Sequence, residues 1–128
     1  MQFNDVRDRG YKEFQKLAEV RMGIHFGVTL TETRVPGSPK KWDLVSADEM
    51  IIGDAKYLSL VNRVKPPPAK LMEIAGHVWM LEETSARIKF LVFGNQREVP
   101  DLWLKKYGSL KRSVDLYFLD VNGSLIKL

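Results

Sequence analysis

The segment from Trp42 to Leu58, WDLVSADEMIIGDAKYL, constrains the fold more than any other part of the chain. It is mostly apolar, and a polar stretch at Asp48 and Glu49 divides it into two short strands. If those two residues form the turn of a hairpin, residues whose numbers sum to 97 lie opposite each other. Asp43 then faces Asp54, with Cβ atoms roughly 5 Å apart.

A third charged residue belongs to the same face of this hairpin. Asp54 and Lys56 are two residues apart on one strand, so they share a face about 7 Å apart. Two directly opposed carboxylates destabilise a strand pair unless a cation lies between them. Mg²⁺ prefers oxygen ligands and is commonly held by one or two carboxylates, waters and phosphate oxygens. Lys56 can then orient or deprotonate a water, or neutralise charge in a phosphoryl transition state.

The alternative interpretation is that Asp43, Asp54 and Lys56 lie on the wet face of an ordinary antiparallel pair, with Lys56 as a salt-bridge partner. Three features weigh against it. Apolar residues flank both faces, Asp and Lys are poor strand formers, and the two carboxylates converge. We therefore expect a functional site.

The remaining pattern predicts an α/β fold of one domain, residues 1–128, with the order α-β-β-β-α-β-α-β and a possible last strand. Strands that alternate with helices late in the chain favour crossover connections and a central mixed β-sheet flanked by helices. The predicted elements are a helix over 5–22, a strand within 25–35, a loop over 36–41, the hairpin, a helix over 69–83, a strand over 87–94, a short helix ending at Gly108, and strands over 113–120 and 124–128.

The composition indicates which binding partners and which cellular compartment suit the chain. A net charge of +4 and a pI near 9.4 suit a polyanion. The chain has no cysteine, which excludes disulfides and thiolate metal sites and is compatible with a cytoplasmic location. The first residues, MQFNDVRDRG, lack the apolar core of a secretory signal, and no apolar run is long enough to span a membrane.

Asp43, the hairpin, and Asp54-Ala55-Lys56 together resemble the PD-(D/E)xK nuclease superfamily, which has the restriction-endonuclease-like fold. Trp42 stands where the pattern has proline. Most of the chain follows the family's order of elements, and its size is similar to archaeal Holliday junction resolvases. The resemblance implies an Mg²⁺- or Mn²⁺-dependent endonuclease that hydrolyses phosphodiester bonds in DNA, either structure-selectively or directed by a partner, and it makes a homodimer or a partner protein plausible.

The resemblance also implies further metal ligands beside Asp43 and Asp54. The backbone carbonyl of Ala55 is one. The family often adds a glutamate from the first helix, and here Glu13 and Glu19 are the candidates. Glu13 is favoured because it lies nearer the apolar side of that helix; if neither serves, the site is a one-metal version.

Basic residues surround the predicted hairpin, and Lys70 begins the helix after the proline-rich stretch. They are candidates for contacts with a phosphate backbone, and a solubilising role is an equal alternative for each loop residue taken alone. Glu73 and His77 share a helix face, which without a third ligand favours a solvated stripe. Trp79 and Trp103 are expected in the core or an interface. The candidate DNA contacts are Lys40, Lys41, Arg63, Lys65 and Lys70.

Two rival functions remain open at this stage. The domain could keep the nuclease fold as a catalytically silent nucleic-acid-binding or scaffolding subunit, although a decayed site should have lost one of the three charged residues. It could also be a small α/β protein in which the motif arose by chance.

Overall fold

The computed structural model describes residues 3–59 and 68–128, with residues 3–9 described by their backbone alone. Within these ranges the predicted α/β class is confirmed, with helices on both faces of a mixed sheet. The helices are α1 (Phe3–Phe26), α2 (Pro68–Glu82) and α3 (Glu98–Tyr107), which a 3₁₀ turn (Gly108–Leu110) follows. The strands are β1 (Thr31–Arg34), β2 (Lys41–Val45), β3 (Ile51–Leu58), β4 (Ile88–Asn95), β5 (Val114–Leu119) and β6 (Leu125–Lys127).

The six strands lie in the sheet in the same order as in the chain. β1, β2 and β3 form an antiparallel meander, β3, β4 and β5 are parallel, and β6 returns antiparallel to β5. Parallel neighbours need crossover connections, and α2 and α3 supply them between β3, β4 and β5. No helix in the described ranges is long and apolar enough to cross a membrane.

Each face of the sheet has its own apolar core. On one face, α1 packs Phe14, Ala18 and Met22 against side chains that include Phe90 and Val92 of β4. On the other face, α2 and α3 pack against alternate side chains of the same strands. The main members of this second core are Trp42, Ile52, Ile74, Val78, Leu81, Leu91, Phe93, Trp103 and Leu116. β3 and β4 are therefore covered on both faces, which explains their nearly continuous apolar sequences.

The hairpin has the predicted register but a longer turn. Leu44 pairs with Gly53 and Val45 with Ile52, as the sum of 97 requires. The predicted two-residue turn is wrong, because the Ser46 amide donates to the Ile51 carbonyl at 3.0 Å and leaves four residues, 47–50, in the loop. The register survives because the longer loop is centred on the same two residues. Asp48 stabilises it by accepting hydrogen bonds from the Ser46 hydroxyl and the Met50 amide.

The first helix extends beyond its predicted end at residue 22. Its end is set by Gly27, whose φ of +70° suits glycine. The amide of Val28 donates to the Gly23 carbonyl at 3.0 Å, and that of Gly27 donates to the Ile24 carbonyl at 3.3 Å. These two bonds form a Schellman motif, so Gly27 rather than Gly23 ends the helix, and the strand predicted within 25–35 shortens to Thr31–Arg34.

We expect Gly94→Ala to destabilise the protein by about 1–3 kcal/mol through overpacking. A Cβ at Gly94 would lie 2.3 Å from Cε1 of the Phe14 ring, so α1 would have to move off the sheet. Gly76 lies inside α2 with no atom within 4 Å of such a Cβ. Gly76→Ala should therefore stabilise by about 0.5–1 kcal/mol, because alanine loses less conformational freedom on folding.

Urea unfolding monitored by circular dichroism measures both effects. Similar changes in the free energy of unfolding for the two variants would contradict the close packing of α1 on β4.

Candidate active site

A bulge in β2 positions the first carboxylate. Thr31 pairs with Val45 and Thr33 with Trp42, so two steps along β1 face three steps along β2. The extra residue in β2 lies next to Asp43, and it lets Trp42 join the core on the α2 side while Asp43 reaches α1. Bulges beside functional sites commonly redirect a side chain in this way.

The two carboxylates replace main-chain partners where β2 separates from β3. The backbone amide of Asp43 donates to Oδ1 of Asp54 at 2.9 Å. In return, the backbone amide of Ala55 donates to Oδ2 of Asp43 at 3.0 Å. Asp43 and Asp54 are 6% and 2% exposed, so both carboxylates converge in a nearly dry position. This exchange explains why a buried hairpin carries Asp where Val would otherwise suit the strand.

Asp54 is surrounded by cations. Its Oδ2 accepts from Nζ of Lys40 at 3.0 Å and from Nζ of Lys56 at 3.2 Å. Burial alone would raise the pKa of Asp54, but the charges of Lys56 and Lys40 and the hydrogen bonds from Asp43 outweigh it and lower that pKa. Asp54 therefore stays ionised at a lower pH than an ordinary buried carboxyl.

Asp43 has the opposite electrostatic environment. Burial and the negative charge of Asp54 raise the pKa of Asp43 to about 6. Its remaining partners come from α1: the Tyr11 hydroxyl donates to Oδ2 at 2.9 Å, and the Gln15 amide reaches Oδ1 at 3.4 Å. Burial and the neighbouring Asp43 raise the pKa of Tyr11, which keeps this hydroxyl a donor.

Lys56 is contacted by α2, which lies on the face of the sheet opposite to α1. Its Nζ forms a hydrogen bond with Nδ1 of His77 on α2. Burial, reinforced by the charge of Lys56, lowers the pKa of His77 to about 4, so the ring is neutral at pH 7 and Nδ1 accepts. Burial also lowers the pKa of Lys56 itself, which is 8% exposed. This ammonium is thus held between a carboxylate and an imidazole.

The structure places the expected acid of the first helix away from Asp43. Glu13 is exposed, and the α1 side chains that contact Asp43 are Tyr11 and Gln15. Glu13 is two residues from each of them, about 200° around the helix axis, and so faces away. Glu19 is half-buried and lies beside an apolar surface depression near the end of α1. Glu32 of β1 comes nearer, because Gln15 also reaches its Oε2 at 3.4 Å.

The predicted DNA contacts have different positions. Lys40 lies inside the carboxylate cluster, 4.4 Å from the centre of the Trp42 ring. Lys41 is exposed and pairs with Glu32 at 3.1 Å. Lys70 is exposed and pairs with Glu73 at 3.1 Å in the first turns of α2. Arg63 and Lys65 lie outside the described residues.

Tyr11, Gln15 and His77 are site residues that sequence reasoning did not select for this role. The spacing of Tyr11 and Gln15, four apart and in phase with Ala18 and Met22, could have placed them on the side of α1 that faces the sheet. His77 was expected on a solvated stripe with Glu73, but it is half-buried and contacts Lys56; the signal for this was its place in a largely apolar helix. Of the two tryptophans expected in the core or an interface, Trp103 is fully buried in the core, whereas Trp79 is 65% exposed and lies outside it.

The donor set of the cluster is small. In the described parts of the chain, no group of three or more His, Cys, Asp or Glu side chains is arranged to hold a metal ion. Two carboxylates do converge, and Mg²⁺ is commonly held by one or two carboxylates together with waters and phosphate oxygens. An ammonium lies beside them for proton transfer or charge neutralisation.

No protein-family model and no curated protein sequence matches this chain. Among solved structures, it is similar to SfsA of Pyrococcus furiosus in complex with Ca²⁺, at 15% identity and a TM-score of 0.47. The match covers 95% of this chain and 62% of SfsA, so the chain spans less than two thirds of that protein's length. Function is therefore inferred below from the side chains of this chain alone.

We expect the Asp43→Asn variant to become more stable relative to the wild type as pH rises from 4 to 7, with both proteins measured in EDTA. A carboxyl whose pKa rises from about 3.8 to about 6 on folding contributes stability below the lower value and loses it as pH passes the higher one. The difference between these values corresponds to about 3 kcal/mol. Urea unfolding of both proteins at several pH values gives the free energies of unfolding.

The His77→Gln variant is the matched comparison, because its expected change in relative stability with pH has the opposite sign. The pKa of His77 is lowered on folding, so its stabilising contribution is lost as pH falls from about 6.5 through 4. The His77→Gln variant should therefore gain on the wild type as pH falls. If the free energies of Asp43→Asn and wild type stayed parallel across this range, the assigned environment of Asp43 would be wrong.

Proposed function

We propose that this protein hydrolyses phosphodiester bonds in DNA with the help of a divalent cation. The main support is a reciprocal pair of hydrogen bonds, in which Asp43 and Asp54 each accept a backbone amide of the other strand. This pair holds two buried carboxylates together, with the Lys56 ammonium 3.2 Å from one of them. Such an arrangement is costly for stability, because like charges converge in a dry place. The cost is understandable if the cluster serves a cation and a phosphate.

The residues fit Mg²⁺ or Mn²⁺. Asp43 and Asp54 would hold the ion, and the Ala55 carbonyl remains a predicted ligand beside an amide that already belongs to the cluster. Burial and the charge of Asp54 raise the pKa of Asp43, and a bound cation would favour its ionised form. When bound, such an ion polarises a phosphoryl oxygen and lowers the pKa of an attached water.

The chain's own groups orient and activate the nucleophile. Lys56 is fixed by Asp54 and by neutral His77, so its Nζ can hold a water in line with the phosphorus, and its lowered pKa favours proton transfer. Tyr11 and Gln15 fix the orientation of the Asp43 carboxylate. The reaction needs no covalent intermediate, since water is the nucleophile.

Binding of DNA would use the basic character of the chain. Its net charge is +4, and Lys41 and Lys70 are exposed on elements next to the cluster. Arg63 and Lys65 are proposed to add phosphate contacts from the connection between β3 and α2. We infer structure-selective cleavage, action as a homodimer, or direction by a partner protein in the cytoplasm.

A second candidate is a DNA-binding subunit without catalysis. It is favoured by Lys40, which together with Lys56 already neutralises Asp54 without any added cation. A site balanced in this way could persist for binding alone.

Cleavage assays separate the two candidates. Purified protein is incubated with supercoiled plasmid, single-stranded DNA and a four-way junction, in Mg²⁺, Mn²⁺ or EDTA. We expect metal-dependent cleavage of at least one substrate, and Asp54→Ala and Lys56→Ala should each reduce its rate by at least about 100-fold, as expected for loss of a group that acts in the transition state. Glu13→Gln removes an exposed acid of α1 and should leave the rate unchanged.

Wild type that binds DNA without cutting any of the three substrates would favour the binding subunit. Cleavage that survives Asp54→Ala would place the activity elsewhere in the chain, and loss of activity in Glu13→Gln would contradict the position of that side chain.

Lys40→Met should change two affinities in opposite directions. Removing the resident ammonium from Asp54 frees the carboxylate for a divalent cation, so the Kd for Mg²⁺ should fall about three- to tenfold, equivalent to about 1 kcal/mol. The affinity for DNA should fall because one positive charge is lost. Calorimetry with Mg²⁺ and fluorescence anisotropy with labelled DNA measure the two effects.

Lys41→Met is the control, because it removes the same charge from an exposed pair with Glu32. It should weaken DNA binding without tightening Mg²⁺ binding. Equal Mg²⁺ affinities in Lys40→Met and wild type would show that Lys40 does not compete for Asp54.

A further inference from the structure

A cavity of about 490 Å³ lies next to the candidate active site. Its walls are the loop over residues 35–39, the hairpin turn, and the end of α2 with the segment that follows it. Trp79 forms part of the wall and is 65% exposed, which is unusual for so large an apolar side chain. The volume is in the range of pockets that take a small ligand or a side chain.

The charge of this cavity is opposite to that of the whole protein. Asp48, Glu49 and Glu83 line it, and its walls contain no Lys, Arg or His. Among the described residues, Glu49 and Glu83 form no salt bridge. Asp48 is near Arg87, whose charge contributes to lowering its pKa after the larger effect of the Ser46 hydroxyl. A local acidic pocket in a chain of net charge +4 suits a cationic occupant.

The other walls suit the rest of a long basic side chain. The face of an indole attracts an ammonium or guanidinium group, and arginine is the commoner partner. Partly exposed apolar side chains, including Val35 and Met80, can cover its aliphatic stem. The same chemistry occurs near the candidate active site, where the Lys40 ammonium lies over Trp42.

We propose that this cavity docks a partner protein through an apolar segment that carries an arginine or a lysine. Nucleic acid is disfavoured, because the three carboxylates would repel its phosphates. The proposal does not depend on the proposed hydrolysis. It does place the partner beside the carboxylate cluster, since Ile52 and Asp54 share a face of β3 about 7 Å apart.

Tryptophan fluorescence tests the proposal directly, because Trp42 and Trp103 are fully buried and Trp79 is the exposed reporter. The probe is N-acetyl-arginine amide, compared with N-acetyl-norleucine amide and adenosine monophosphate. We expect saturable change of emission with the arginine probe, with a Kd on the order of millimolar for this single anchor. The norleucine probe should bind at least about fivefold more weakly, because it lacks the charge.

The paired variant Glu49→Gln/Glu83→Gln keeps the reporter and removes two carboxylates of the cavity. It should weaken the arginine probe at least about fivefold. The pair Glu13→Gln/Glu98→Gln removes two exposed acids elsewhere and should leave binding unchanged. Thermal unfolding of both variants verifies that each is folded.

Three results would overturn the proposal. Equal affinity for the arginine and norleucine probes would show an apolar pocket without charge selection. Tighter binding of adenosine monophosphate would assign the cavity to a nucleotide. Saturable binding of none of the three would show that no such site exists. None of these results depends on whether the protein cuts DNA, so the fate of the proposed hydrolysis is separate.

Discussion

Where β2 separates from β3, side-chain carboxylate oxygens rather than main-chain carbonyls accept the backbone hydrogen bonds between the two strands. If the ladder continued past Leu44 and Gly53, the carboxylates of Asp43 and Asp54 would oppose each other as like charges. Instead each one accepts the backbone amide of the other strand, at 2.9 and 3.0 Å. The backbone therefore remains satisfied, as a buried segment requires, while both carboxylates are drawn into one dry position.

Two helices on opposite faces of the sheet contact the carboxylates and Lys56. The bulge in β2 allows both helices to do so, because it turns Asp43 toward α1. α1 supplies Tyr11 and Gln15 to Asp43, whereas α2 supplies His77 to Lys56. Without the extra residue in β2, Asp43 would share the face of Asp54, and α1 could not reach it. The two carboxylates differ in their electrostatic environment. The charges of Lys56 and Lys40 outweigh burial and lower the pKa of Asp54, whereas burial and the charge of Asp54 raise the pKa of Asp43.

Much of the fold was predictable because its signals are local. The register of the hairpin depends on where the polar turn interrupts the apolar pattern, and it is correct although the turn itself is two residues longer than predicted. The order of elements and the mixed sheet are confirmed for similar reasons. The end of α1 was missed because Gly23 and Gly27 carry the same sequence signal. Only the backbone conformation at Gly27, with φ of +70°, distinguishes them.

The site was predictable only where its residues lie on the hairpin. Asp43, Asp54 and Lys56 meet because strand geometry fixes their spacing. The contacts of Tyr11, Gln15 and His77 depend on how two helices are rotated and placed over the sheet. For α1, the rotation of the helix brings Tyr11 and Gln15 rather than Glu13 to Asp43, and sequence did not reveal this because the apolar stripe is broad and its centre is poorly defined. Lys40 was expected to reach outward as a phosphate contact, but the loop folds it back over Trp42 onto Asp54.

The distribution of charge links the cluster to the cavity beside it. Lys40 follows directly after the loop that lines the cavity, and Asp54 lies two residues beyond Ile52, which also lines it. Trp42 lies between these features, with Lys40 over its ring, His77 at 6.0 Å from its centre, and its indole nitrogen donating to Ser38 in the loop. A ligand that moved the loop would therefore act on the lysine that neutralises Asp54. The cavity and the carboxylate cluster would then be coupled through the competition of Lys40 for Asp54, without any change in the sheet.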